Sequence, residues 1–191
     1  MKVKYSDLKN KRVFITGGGS GIGASIVEHF CEQGSEVYFV DIDLKETKKL
    51  LNKIKKNKFR TPTFIECNLL DINKLEKTIK NIIAKKGPIH ALINNAANDD
   101  RHTTDQVDEK YWENRMAINL KHYFFAAKAV VKSMKKIKAG SIVNLSSVSW
   151  MLGEGDKVVY ETAKSAVVGL TRSFAQEYGK YNIRTNSVVP G

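Results

Sequence analysis

The chain has 191 residues, with 32 lysines and arginines against 20 aspartates and glutamates, a formal net charge of +12. At 42% hydrophobic and 27% charged residues it has an ordinary globular composition, and no apolar run approaches the roughly 20 residues that span a bilayer. Its two cysteines, Cys31 and Cys67, exclude a disulfide framework or a cysteine-built metal cluster.

The length suits one well-buried α/β domain, residues 1–191. The opening MKVKYSDLKNKR is charged and lacks the apolar stretch of a secretory signal, so a cytoplasmic setting is expected. The positive charge invites a nucleic-acid partner, yet the lysines are scattered. The densest cluster, Lys45–Lys58, keeps Leu50, Leu51 and Ile54 on one side, the pattern of an amphipathic surface helix. Neither zinc-finger spacing nor an aromatic RNA-binding motif accompanies it. A solvated lysine-rich surface is expected, with neither nucleic acid nor membrane as partner.

In chain order, β-branched and aromatic runs predict strands at 12–16, 36–40, 62–66, 90–93, 141–145 and 183–189. Amphipathic segments separate them. The clearest predicts one long helix with Trp112, Met116, Leu120, Tyr123, Phe124, Ala127, Val130 and Met134 on a single stripe. Alternation of strand and helix predicts a doubly wound parallel sheet with helices on both faces.

The first strand runs into TGGGSGIG, Thr16–Gly23. Gly17, Gly21 and Gly23 let the backbone turn sharply and approach a pyrophosphate, whose charge would sit on the N-terminus of a helix beginning near Ile22. The spacing G-x-x-x-G-x-G departs from the common G-x-G-x-x-G, but its place after the first strand of a βαβ unit marks a Rossmann-type dinucleotide turn. The second strand ends in Asp41. A carboxylate there accepts from the adenosine ribose hydroxyls and repels a 2′-phosphate, which favours NAD over NADP. Asp43 is the better helix N-cap of the two.

Further on, Tyr160 and Lys164 stand four apart on one predicted helix face. An ammonium about 4 Å from a phenol, at an effective dielectric near 20, is worth about 4 kcal/mol. That predicts a tyrosine drawn from about 10 towards 7, fit for acid–base work. Ser147 lies at the end of the fifth strand, where side chains line the ligand crevice of such sheets, while Ser146 points elsewhere. Asn119 sits in mid-helix, a poor place for asparagine unless it is used.

Taken together, TGGGSGIG, Asp41, NNAA, Asn119, Ser147, Tyr160-x-x-x-Lys164 and Pro190-Gly191 resemble the short-chain dehydrogenases/reductases, over essentially the whole chain. The resemblance implies a catalytic tetrad. Tyr160 would be the acid–base, Ser147 would position the reacting oxygen, Lys164 would bind the nicotinamide ribose, and Asn119 would hold a water. It also implies NAD contacts from Gly17, Ser20, Gly21, Ile22, Gly23, Asp41, Asn68, Leu69, Asn95, Ala96, Tyr160, Lys164, Pro190 and Gly191. Ala97 stands where the family usually has glycine.

The stretch NNAANDDRH, with YWENRMAINLKHYFFAAKAVV, SSVSWMLG and YETAK, is similar to the bacterial NAD-dependent aldose 1-dehydrogenases of that family. This implies hydride transfer from C1 of a D-xylose-like sugar to NAD, giving an aldonolactone without a metal. Substrate contacts are expected from Asn98, Asp99, Ser147, Trp150, Met151 and Tyr160. For Asp99, Asp100, Arg101 and His102, bracing of the loop by an Asp–Arg pair is expected ahead of sugar contact. Met151 stands where relatives tend to carry histidine, which leaves the sugar open. Two other readings remain: a reductase of 3-oxoacyl-carrier or other carbonyl substrates, and a non-catalytic NAD-binding fragment. The resemblance also implies a seventh strand, a substrate-covering segment and a last helix beyond Gly191, with a homo-oligomer as the full-length form.

Overall fold

In the computed structural model, which describes residues 3–191, six runs rich in β-branched and aromatic residues form one parallel sheet. They are β1 (Arg12–Thr16), β2 (Glu36–Asp41), β3 (Thr63–Glu66), β4 (Ala91–Asn94), β5 (Gly140–Leu145) and β6 (Ile183–Val188). Each lies within a residue of its expected bounds. The order is β3-β2-β1-β4-β5-β6. Successive strands therefore extend the sheet one way from β1 and the other way from β4, and the crevice at the C-terminal ends of these two strands is where ligands bind in sheets of this kind.

The central strand shows why the sheet is covered on both sides. Val13, Phe14 and Ile15 are fully buried. Phe14 joins a core built with Leu92, Ile142, Ile79 and Val130, while Val13 and Ile15 join Val27, Phe39 and Ile54 on the opposite face. One layer contains α1 (Gly21–Glu32) and α2 (Leu44–Lys56); the other contains α3 (Ile72–Lys86) and α5 (His122–Ile137). In α2, Asp43 accepts from the Glu46 amide at 2.9 Å as N-cap, and Thr47, Leu50 and Ile54 are buried while the lysines face water. The remaining helices are α4 (Glu109–Met116), the short α6 (Ser149–Leu152) and α7 (Val158–Tyr178).

The expected single long helix is corrected. A π-helical turn, Ala117–Lys121, separates α4 from α5. Its extra residue per turn shifts the helix register and brings Asn119 fully into the interior. There the Asn119 amide satisfies both backbone groups of Asn98: Oδ1 accepts from its N–H at 2.8 Å and Nδ2 donates to its carbonyl at 2.9 Å. The same shift breaks the apolar stripe. Tyr123, Ala127, Val130 and Met134 are buried, but Trp112 and Phe124 are 40% and 43% exposed. Among the described residues, no helix is long and apolar enough to cross a membrane.

Candidate active site

Thr16, the last residue of β1, is buried, and its hydroxyl accepts from the amides of Asn95 at 3.0 Å and Ala96 at 3.2 Å. The ends of β1 and β4 are thereby tied together beneath the crevice. Gly17 has φ +65, and a Cβ there would lie 2.7 Å from the Ala96 Cα. At Gly23 a Cβ would meet the Gly17 carbonyl at 1.8 Å, so turn and helix pack backbone against backbone. Gly21, with φ +51, differs. A Cβ there would meet nothing within 4 Å, and Ser20, the N-cap of α1, makes no capping bond through its side chain. Open space over an uncapped helix N-terminus suits a bound anion.

These residues line a groove of about 510 Å³. Ser20, Gly21, Ile22 and Gly23 contribute from the turn, and Asp41 from the end of β2. Asn68 and Leu69 follow β3; Asn95, Ala96, Asn98 and Asp99 follow β4; Tyr160 comes from α7. The Asp41 carboxylate is fixed by three backbone amides, Gly19 and Ile42 at 2.7 Å and Asp43 at 2.9 Å. The donor set, with the open cradle at Gly21 and a carboxylate at the second strand, fits a nicotinamide dinucleotide.

At the other side of the crevice, the Ser147 side chain acts on the Tyr160 phenol and pulls its pKa down against the larger effect of burial. The Ser147 hydroxyl also accepts from Ser149, through its amide at 3.2 Å and its hydroxyl at 3.0 Å. Ser146 does turn away, donating to the Lys164 carbonyl at 2.7 Å. Half-burial raises the Tyr160 pKa, Ser147 works against this, and the charge of Asp99 adds to it. This corrects the expectation of an ammonium-lowered phenol. The Lys164 Nζ lies 5.5 Å from the centre of the Tyr160 ring and donates elsewhere, to the Tyr123 hydroxyl at 2.9 Å and the Leu145 carbonyl at 2.7 Å. Lys164 is 1% exposed, and burial lowers its pKa to about 7, with Asp99 opposing.

The polar stretch after β4 is braced much as the sequence suggests. Asp100 pairs with Arg115 at 2.6 Å, and Arg101 pairs with Asp156. His102 does more than the sequence suggested. Its backbone N–H donates to the Asp156 carbonyl at 2.7 Å, its Nε2 accepts from the Val159 amide at 3.3 Å, and its Nδ1 lies 2.9 Å from the Tyr111 hydroxyl. Asp99 stays exposed on the groove.

Trp150 and Met151 are not part of the groove lining. The Trp150 indole donates to Ser146 at 3.2 Å, and Met151 is 59% exposed. The Pro190 carbonyl accepts from the Val148 amide at 2.9 Å, which lays Pro190 and Gly191 alongside the Ser147 segment. Sequence reasoning missed the Tyr123–Lys164 bond, whose one signal is a hydroxyl in an otherwise apolar stripe, and it missed Cys67, Ala97 and Ile118 in the groove lining.

The sequence pattern of the family described as short chain dehydrogenase matches residues 11–191. The chain belongs to the short-chain dehydrogenases. It is therefore an oxidoreductase of a family that uses a nicotinamide cofactor. Among relatives of this short-chain dehydrogenase, the D-xylose 1-dehydrogenase of Caulobacter vibrioides is 43% identical over 187 residues, covering 98% of this chain and 73% of that one. The Rhizobium meliloti protein named "Probable galactose dehydrogenase GalD" is 39% identical over 188 residues, covering 98% and 73%. A solved short-chain dehydrogenase/reductase from Burkholderia xenovorans superposes with a TM-score of 0.91 at 30% identity, covering 98% of this chain and 76% of that one.

Proposed function

We propose that this short-chain dehydrogenase oxidises C1 of a cyclic, D-xylose-like aldose with NAD, giving an aldonolactone. The observation that carries the reading is one groove shared by Asp41, the glycine turn and the Tyr160 side chain, in a chain whose relatives bear the names of sugar dehydrogenases.

Asp41 accepts from the adenosine ribose hydroxyls and repels a 2′-phosphate, which selects NAD. Gly17, Ser20, Gly21, Ile22 and Gly23 cradle the pyrophosphate. Asn68, Leu69, Asn95, Ala96, Pro190 and Gly191 complete the cofactor contacts. When bound, the nicotinamide supplies a hydride acceptor. Ser147 donates to the C1 oxygen and orients it. Tyr160, as phenolate, takes the C1 hydroxyl proton while the C1–H electrons leave as hydride and the C1=O bond forms. Since burial favours the neutral phenol, ionisation of Tyr160 draws on positive charge that the ring of oxidised NAD would supply when bound, while the Lys164 ammonium would hold the nicotinamide ribose. Asn119 fixes the loop carrying Asn98 and Asp99 and supports a water in the proton path. Asn98 and Asp99, which line the groove beside Tyr160, meet sugar hydroxyls.

The same reading makes residues 1–191 one cofactor-binding unit in the cytoplasm, where the buried thiols of Cys31 and Cys67 stay reduced. The exposed Trp112 and Phe124 support assembly as a homo-oligomer. The test is NADH formation from D-xylose, D-galactose, L-arabinose and D-glucose, run with NAD and NADP in parallel and with 3-oxoacyl thioester reduction as comparator. Turnover of an aldose with NAD is expected; turnover of the thioester alone would overturn the reading.

A further inference from the structure

Lys164 poses a problem that the groove does not solve. Its ammonium is almost completely withdrawn from water, and a buried charge is tolerated only where acceptors replace the solvent it loses. Two acceptors meet it: the Leu145 carbonyl at 2.7 Å and the Tyr123 hydroxyl at 2.9 Å. The third ammonium hydrogen is left for a ligand. We infer that Tyr123 is a positioning residue, whose phenol oxygen holds the Lys164 ammonium charged and aimed from the end of β5 for cofactor binding.

The geometry is specific. The Tyr123 hydroxyl donates its own proton to the Leu145 carbonyl at 3.0 Å, so its lone pairs are free to receive the ammonium. It also lies 3.4 Å from the Ala96 carbonyl and thus ties α5, β5 and the groove wall to one point. The phenol is fully buried and its pKa is raised, so it stays a neutral acceptor rather than a rival acid. Its proton path ends on a backbone carbonyl, which excludes a relay function. The other charged or titratable groups facing Lys164 are consistent with this. His122, on the same helix turn, is neutral because burial and the lysine charge lower its pKa to about 3. Asp99 favours the ammonium from the groove side, and the Tyr160 ring centre is 5.5 Å away. Without the Tyr123 oxygen, the buried amine would lose its proton at lower pH.

This inference rests on the proposal that Lys164 holds the cofactor, and the experiment separates the two. NADH binding is measured by fluorescence titration from pH 6 to 8.5 in the wild type, Tyr123→Phe and Lys164→Met, with thermal unfolding as a check that each variant is folded. The phenylalanine keeps the ring packed against His122 and removes only the oxygen. Cofactor binding requires the charged amine, so it weakens as pH rises through the lysine pKa, and earlier in the variant. Tyr123→Phe is expected to bind NADH within about two-fold of wild type at pH 6 and about ten-fold more weakly at pH 8.5. An unchanged profile, or an equal loss at every pH, overturns the inference while Lys164→Met still binds poorly. If Lys164→Met binds like the wild type throughout, the assignment of Lys164 itself falls.

Discussion

The imidazole of His102 accepts a hydrogen bond from the backbone amide of Val159, 57 positions along the chain, at 3.3 Å. Val159 lies in the first turn of α7, one residue before Tyr160, and the N-cap of that helix, Lys157, makes no side-chain cap. His102 therefore does from a distant loop what a serine or aspartate does locally. The loop of Asn98 and Asp99 and the helix of Tyr160 are held in one register by this ring. His102→Ala is expected to lower the melting temperature by about 3 °C, from the loss of roughly 1 kcal/mol of capping. It should raise KM for the sugar several-fold more than it lowers kcat. Steady-state kinetics check this, and an unchanged KM would count against a shared register.

Two glycines of the turn should respond differently. At Gly23 an added methyl has no room, because the Gly17 carbonyl would sit 1.8 Å from it. Gly23→Ala is expected to forfeit cofactor binding and at least about 3 kcal/mol of stability. At Gly21 the space is open and only the positive φ resists, so Gly21→Ala should cost about 1 kcal/mol. Its methyl would then stand in the pyrophosphate cradle and weaken NADH more than it weakens the fold. Denaturant unfolding and NADH titration of both variants decide the matter.

The Asp41 carboxylate is held in place by three amides, which fixes its charge beside the groove. Asp41→Asn keeps one oxygen for the Ile42 and Asp43 amides, leaves the Gly19 amide without its acceptor, and removes the charge. The preference for NAD over NADP should fall by about ten-fold, the effect of roughly 1.4 kcal/mol less repulsion of a 2′-phosphate. Parallel kcat/KM values for the two cofactors measure it, and an unaltered ratio would show that Asp41 is not the discriminator.

His122 makes the fold sensitive to acid. It is fully buried, its Nε2 lies 3.3 Å from the Thr16 hydroxyl, and its pKa is lowered to about 3 from an ordinary 6.5. Between those values the unfolded chain binds a proton that the folded one refuses. Stability therefore falls as pH drops below 6.5, by up to about 1.4 kcal/mol per pH unit from this group. His122→Gln should flatten the decline between pH 6.5 and 4.5, as read from urea midpoints across that range. A slope equal to wild type would place the acid sensitivity elsewhere.

The sheet, the glycine turn and the Asp43 cap were legible because each leaves a local mark: a β-branched run, a cluster of glycines, a capping residue before lysines. Asn119 was legible as an anomaly in mid-helix, but the π turn around it was not. One extra residue in a turn changes the register of the stripe without changing its composition, and so Trp112 and Phe124 read as core. The charge relations were the least legible. A Tyr–Lys pair four apart suggests a direct interaction. The ammonium instead turns to Tyr123 and Leu145, a choice set by burial and by the meeting of α5, β5 and α7.

The most direct measurement is NADH formation from NAD and D-xylose by the wild type and by Tyr160→Phe, together with NADH affinity for both. The expected result is a loss of turnover of at least about a thousand-fold in the variant with cofactor affinity kept within a few-fold, because only the proton acceptor has been removed. A variant that turns over within ten-fold of wild type would contradict the assignment of Tyr160 as the base and, with it, the chemistry proposed for this groove.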